Sequence, residues 1–168
     1  VCTGTNVTLT SSAAPNGGTY TWYKNGTLDA TLTGLTAVLN TAAQSGSYTV
    51  TVTDGAAPNC TSAQSLAQVV TIQNPPATPT LSTSGNLVCA GTNVTLTSNI
   101  APNGGTYTWR KNGMIDATLT TQSIILSAAA QSGSYTVTVT DGAAPNCTST
   151  QSPAQVVTIQ TLPATPTL

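Results

Sequence analysis

The sequence is almost without charge. Its 168 residues include three Lys or Arg, four Asp or Glu, no His, no Phe and one Met. Charged residues make up 4% of the chain, against about a quarter in an ordinary globular domain. A net charge of −1 argues against disorder driven by self-repulsion. Three cations form no basic stripe, so no nucleic-acid partner is expected. They also provide no cluster for an anionic membrane surface. No apolar run approaches the roughly 18 residues of a membrane span, so no direct membrane insertion is expected. The absence of His removes the commonest general base and metal ligand. The only acids are Asp29, Asp54, Asp116 and Asp141. Asp54 and Asp141 precede Gly, which is turn chemistry. No acid–base pair with a supporting third group is evident, so no enzyme activity is expected. Calcium needs six or more oxygens, and neither metal nor cofactor is expected.

What the chain has is repetition. Cys2 and Cys89 are 87 residues apart, and so are Cys60 and Cys147, Trp22 and Trp109, Tyr48 and Tyr135, and Asp54 and Asp141. Residues 1–81 align with 88–168 without a gap and are identical at about 64 positions. A fixed period of this length means an array of small domains. The differences cluster at 33–42 against 120–129, and at Ser12-Ala13 against Asn99-Ile100. Those stretches are expected to be solvent-facing or peripheral. Four cysteines in an even, repeated spacing suggest disulfides and an oxidising compartment. Zinc is disfavoured, because no two cysteines lie within two to four residues of each other.

Threonine, roughly a fifth of the chain, alternates with apolar residues. Val7, Leu9 and Ser11 share one face of a strand, Tyr20 and Trp22 another, and Tyr48, Val50 and Val52 a third. This period of two in β-branched and aromatic residues marks half-buried antiparallel strands. Threonine suits the exposed side, since its branched side chain fits a pleated surface. "PNGG", "KNG" and "DGAAPN" mark turns, where Asn and Gly accept positive φ. Nothing shows a helical period; "TAAQSG" can form one turn at most. The fold class is therefore all-β.

These residues resemble an immunoglobulin-like sandwich over essentially all of both repeats. "VTLTS" resembles strand B. "YTWYKNG" and "YTWRKNG" resemble strand C with its core tryptophan, and "QSGSYTVTV" resembles the E–F corner and strand F. The resemblance implies two tandem immunoglobulin-like antiparallel β-sandwich domains. Their core would hold Trp22, Tyr48, Val50, Trp109, Tyr135 and Val137, with Tyr48 and Tyr135 at tyrosine corners. More narrowly, "VCAGTNVTLTS…YTW…SGSYTVTVTD…NCTS" is similar to Ig-like repeats of very large surface proteins. Those proteins come from gliding, type IX-secreting bacteria, where such repeats build stalks of adhesins and extracellular fibres.

The departure from antibody-type domains is the disulfide. Ser11 and Val50 occupy the places of the usual core cysteines, as do Ser98 and Val137. The expected pairing is Cys2–Cys60 and Cys89–Cys147, each closing a long loop worth roughly 4 kcal/mol in the chain-entropy model. A bond between repeats, Cys60 to Cys89, is the alternative. The expected organisation is repeat 1 over 1–73, a Pro/Thr-rich linker with strand A of repeat 2 over 74–86, repeat 2 over 87–160, and a further linker or strand over 161–168.

Repeat 2 is preceded by "PATPTLSTSGNL", which includes a strand A. Repeat 1 starts at Val1 without one, and "LPATPTL" at 162–168 begins a third copy. Either the chain is a window from a longer tandem array, or it is a fibre subunit. In the second case Pro163, Ala164, Thr165, Pro166, Thr167 and Leu168 form a donor strand for the next copy. The functional expectation is a non-enzymatic structural or adhesive unit of an extracellular fibre or cell-surface adhesin, with copies of itself as partners. The alternative is a non-catalytic carbohydrate-binding module with a surface polysaccharide as ligand. Trp22, Trp109 and Tyr23 are the candidate sugar platforms; burial is expected for the tryptophans, and Arg110 replaces Tyr23 in the second copy. Lys24 and Lys111 are expected to face solvent.

Overall fold

A computed structural model describes residues 1–167. The chain forms two compact units, Val1–Asn74 and Pro75–Leu168. In the first, β1 (Val7–Thr10) pairs antiparallel with β4 (Thr36–Leu39). The second sheet of this unit runs in the order β3 (Thr27–Leu28), β2 (Thr19–Lys24), β5 (Gly46–Thr53), β6 (Gln68–Val70). The second unit repeats this plan with β9 (Val94–Ser98) and β12 (Ser123–Leu126) in one sheet. The other holds β11 (Met114–Ile115), β10 (Thr106–Lys111), β13 (Gly133–Thr140) and β14 (Gln155–Gln160). The second unit has two strands that the first lacks. β7 (Leu81–Thr83) pairs antiparallel with β9, and β8 (Leu87–Cys89) pairs parallel with β14. One connected strip of chain thus serves both sheets.

The alternating pattern sets the faces as expected. In β9 the inward Val94, Leu96 and Ser98 are buried and the threonines between them half-buried. Trp22, Tyr48 and Val50 are buried, as are Trp109, Tyr135 and Val137. Each indole Nε1–H donates to a backbone carbonyl at 2.9 Å, Trp22 to Gly34 and Trp109 to Thr121. Each tyrosine hydroxyl donates four residues back at 2.6 Å, Tyr48 to the Gln44 carbonyl and Tyr135 to that of Gln131. This is the tyrosine-corner bond. The "TAAQSG" segment makes a single 3₁₀ turn, Ala42–Gln44.

Of the variable stretches, Ser12-Ala13 and Asn99-Ile100 are exposed as expected, but 33–42 and 120–129 are not peripheral. They contain β4 and β12, whose inner residues Ala37, Leu39, Ile124 and Leu126 lie in the core. On the inner face Leu39 and Leu126 are identical, and Ala37 stands where the second unit has Ile124, so both positions stay apolar. Period-two alternation in "TAVL" and "SIIL" marks an inner face, whereas divergence between the copies does not by itself mean exposure.

Each unit has two poles. At one, the tip of β5 or β13 meets the "PNGG" turn: Gly55 N–H donates to Pro15 O and Gly142 N–H to Pro102 O, both at 3.1 Å. The fit is close, because a Cβ on Gly18 would lie 1.8 Å from Thr53 O, and one on Gly105 1.8 Å from Thr140 O. β7 enters the second unit at this pole, with Leu81 opposite Ser98. We call it the head. The opposite pole, the tail, holds the start of β5 or β13. There β14 ends at Gln160 beside Cys89, and Gln73 lies beside Cys2.

Candidate functional site

The outer edge of β1 in the first unit carries no strand among the described residues. In the second unit the equivalent edge of β9 is covered by β7, in the register Leu81–Ser98, Ser82–Thr97, Thr83–Leu96. The segment leading into β7 is seated as well. Pro79 is fully buried, Thr80 N–H donates to Asn99 Oδ1 at 2.9 Å, and the hydroxyls of Thr78 and Thr150 share a hydrogen bond.

Without such a cover, the first unit has an open groove of about 880 Å³, lined among others by Val7, Leu9, Trp22, Val50, Val52 and Val70. No Asp, Lys or Arg side chain lines it. Exposure follows the missing cover. Leu96 and Val139 are 0% and 1% exposed, whereas their equivalents Leu9 and Val52 are only half-buried. Ser149 and Ser152 are buried, whereas Ser62 and Ser65 are exposed. The cores differ accordingly. Nine buried residues form one cluster in the second unit, while the first is divided into clusters of four and three.

Serines line this groove for a reason the sequence reading missed. Val50 N–H and Val52 N–H on β5 donate to Ser65 Oγ and Ser62 Oγ, both at 3.1 Å. Val137 and Val139 do the same with Ser152 and Ser149, both at 3.0 Å. The hydroxyls satisfy strand amides where the neighbouring backbone diverges, as buried amides require. The signal was present as the three-residue spacing in "TSAQS" and "TSTQS".

The cysteines are not paired as expected. Cys2 and Cys147 are disulfide-bonded, and Cys60 and Cys89 are free thiols. Neither Cys2–Cys60 nor Cys89–Cys147 is formed, and no bond joins Cys60 to Cys89. The reason within each repeat is distance. Cys60 lies at the head, where its carbonyl accepts from Asp54 N–H at 2.9 Å, and Cys2 lies at the tail beside Gln73. In the second unit Cys147 O accepts from Asp141 N–H at the head, and Cys89 is at the tail. The length of β5 or β13 separates the two, roughly 25 Å at about 3.3 Å per residue. A disulfide needs Cα atoms within about 7 Å.

The remaining candidates are structural. Asp54 Oδ1 accepts from Asn16 Nδ2 at 2.9 Å and from Ala56 N–H at 2.8 Å. The Asn16 bond and then the Ala56 bond hold its pKa below the usual carboxylate value. Asp141 is held down in the same way by Asn103 and Ala143. Asp116 is lowered chiefly by the Thr118 hydroxyl, which donates to it at 2.6 Å. These are turn-closing carboxylates. Lys24 Nζ donates to the Ala43 carbonyl and Lys111 Nζ to that of Ala130. Both tryptophans are buried, although Trp22 also lines the open groove. Among the described residues no group of three or more His, Cys, Asp or Glu is placed to hold a metal, and no helix is long and apolar enough to cross a membrane.

The donor-strand candidates Pro163, Ala164, Thr165, Pro166 and Thr167 are exposed; Leu168 lies outside the described residues. They repeat residues 76–81 letter for letter, the segment that is seated in the second unit.

No protein-family profile and no curated protein matches the sequence. Solved structures do match. A chain in the crystal structure of the mouse coronavirus receptor-binding domain complexed with its murine receptor is 18% identical, with a TM-score of 0.56; the match covers 95% of this chain and 94% of that one. Murine CEACAM1b is 16% identical, with a TM-score of 0.51 and the same coverages. At such identities the likeness shows the fold alone, and the fold is an immunoglobulin-like β-sandwich.

Proposed function

We propose that the protein is a non-enzymatic structural unit of an extracellular fibre or cell-surface adhesin, polymerising head to tail by β-strand addition. Residues 163–168 of one copy fill the groove beside β1 of the next. The observation that carries this reading is the groove itself, set against the same site filled by an identical sequence in the second unit. By repeat equivalence, Leu168 takes the place of Leu81 opposite Ser11, and Pro166 the buried place of Pro79. Strand addition supplies main-chain hydrogen bonds, and its side-chain pockets supply specificity. Here the pockets are apolar and the donor is neutral, so assembly is insensitive to salt. The polarity is consistent, because the donor segment follows Gln160 at the tail and the groove takes Leu at the head. Such a contact between unlike ends propagates into a filament.

The disulfide-bonded state of Cys2 and Cys147 supports an oxidising, extracellular location. The resemblance to the repeats of type IX-secreted bacterial surface proteins supports the same setting. Negative-stain microscopy tests the reading. The full chain forms filaments and a chain lacking residues 162–168 does not; filaments that persist after the deletion refute strand addition.

A further inference from the structure

The free cysteines have a place in this assembly, and the inference rests on the head-to-tail reading. Cys60 is an exposed thiol at the head of the first unit, and Cys89 is an exposed thiol at the tail of the second. Neither can bond the other cysteine of its own repeat, which lies at the far pole, roughly 25 Å away at strand spacing. Both positions are nonetheless competent to form a disulfide. Cys147, the repeat equivalent of Cys60, is disulfide-bonded, and so is Cys2, the equivalent of Cys89. The repeat therefore carries one oxidisable cysteine at each pole, and in this chain one of each kind is left reduced.

We propose that Cys89 of one copy forms a disulfide with Cys60 of the next, so that the assembled filament is covalently closed along its length. The directions agree. Cys89 pairs with Gln160 at the tail, and the donor segment begins three residues on, at Pro163. Cys60 lies beside Asp54 at the head, the pole where the seated segment meets its acceptor strand. Seating the donor strand brings a tail pole to a head pole, and with them the two thiols.

The bond forms by thiol–disulfide exchange with a small-molecule disulfide such as oxidised glutathione. One cysteine loses its proton to solvent, and its thiolate attacks the glutathione disulfide. A mixed disulfide results and one glutathione thiolate leaves. The second cysteine, also deprotonated, attacks the protein sulfur of the mixed disulfide and expels the second glutathione thiolate. Two protein thiols are oxidised by two electrons and one glutathione disulfide is reduced to two thiols.

The test uses the full chain in a mixture of oxidised and reduced glutathione near pH 8, read by non-reducing electrophoresis. The native protein gives a ladder in steps of 16.8 kDa that collapses under reductant. Cys60→Ser and Cys89→Ser each retain one free thiol. Their equimolar mixture gives a mixed dimer at least about tenfold in excess of either homodimer, and mass spectrometry finds the Cys60–Cys89 peptide. Random collision of exposed thiols gives a mixed dimer only twice as abundant as each homodimer, and that ratio overturns the proposal. Microscopy of the reduced protein separates the two ideas. Filaments under reductant with a statistical dimer ratio overturn the disulfide and leave strand addition standing. Absence of filaments in both redox states overturns strand addition, and the disulfide proposal with it.

Discussion

Adding a free peptide of residues 74–86 to a chain lacking residues 162–168 should stabilise the first unit alone. The peptide reproduces the segment that the second unit already has, so only the open groove can take it. Its anchors are the prolyl and leucyl groups at positions 79 and 81, of which Pro79 is fully buried and Leu81 half-buried in the second unit. Burying one such side chain fully and the other in part is worth about 2–4 kcal/mol. A peptide carrying Pro79→Ser and Leu81→Ser should therefore bind about thirtyfold to a thousandfold more weakly, at roughly 1.4 kcal/mol per decade. At a hundred times its dissociation constant the native peptide stabilises its site by about 2.7 kcal/mol. For a domain of this size that raises the melting midpoint by roughly 10–20 °C. Scanning calorimetry should show two transitions, the lower from the first unit with its divided core, and only the lower should rise with peptide. A lower transition that stays put at millimolar peptide, or rises equally with the doubly substituted peptide, refutes the groove as a strand acceptor.

Two further outcomes follow from the packing. Tyr48 and Tyr135 have pKa values raised above 10.0 by burial and then by the nearby Asp29 and Asp116 carboxylates. Above pH ~10 the unfolded chain releases these protons more readily than the folded one, so stability is lost as pH rises towards the folded-state values. Absorbance titration at alkaline pH should show two of the five tyrosines ionising late and together with the loss of fold, and five simple titrations would contradict this. Gly105→Ala should destabilise the second unit by about 1–3 kcal/mol or more, since the new Cβ meets Thr140 O at 1.8 Å. A denaturant midpoint unchanged from the native protein would show that the head pole relaxes freely.

The pattern of the chain determined its strands, its repeat and most of its core, because alternation and turn chemistry are local. Val7 and Leu9 against Thr8 and Thr10 specify a face whatever lies beyond it, and the Asn-Gly and Pro-Asn-Gly-Gly segments specify their turns through positive φ at Asn16 and Asn25. The recurrence of residues 76–81 at 163–168 was legible too, as a repeated string of letters. Spacing along the chain could not place the cysteines. The 57 residues between Cys2 and Cys60 are compatible with contact or with full separation, and only the fold put a whole strand length between them. Nor could it show that Leu9 and Val52 are left partly uncovered while Leu96 and Val139 are sealed. The local sequences are the same; the difference is a neighbouring strand, and burial belongs to the assembled sheet rather than to the residues that line it.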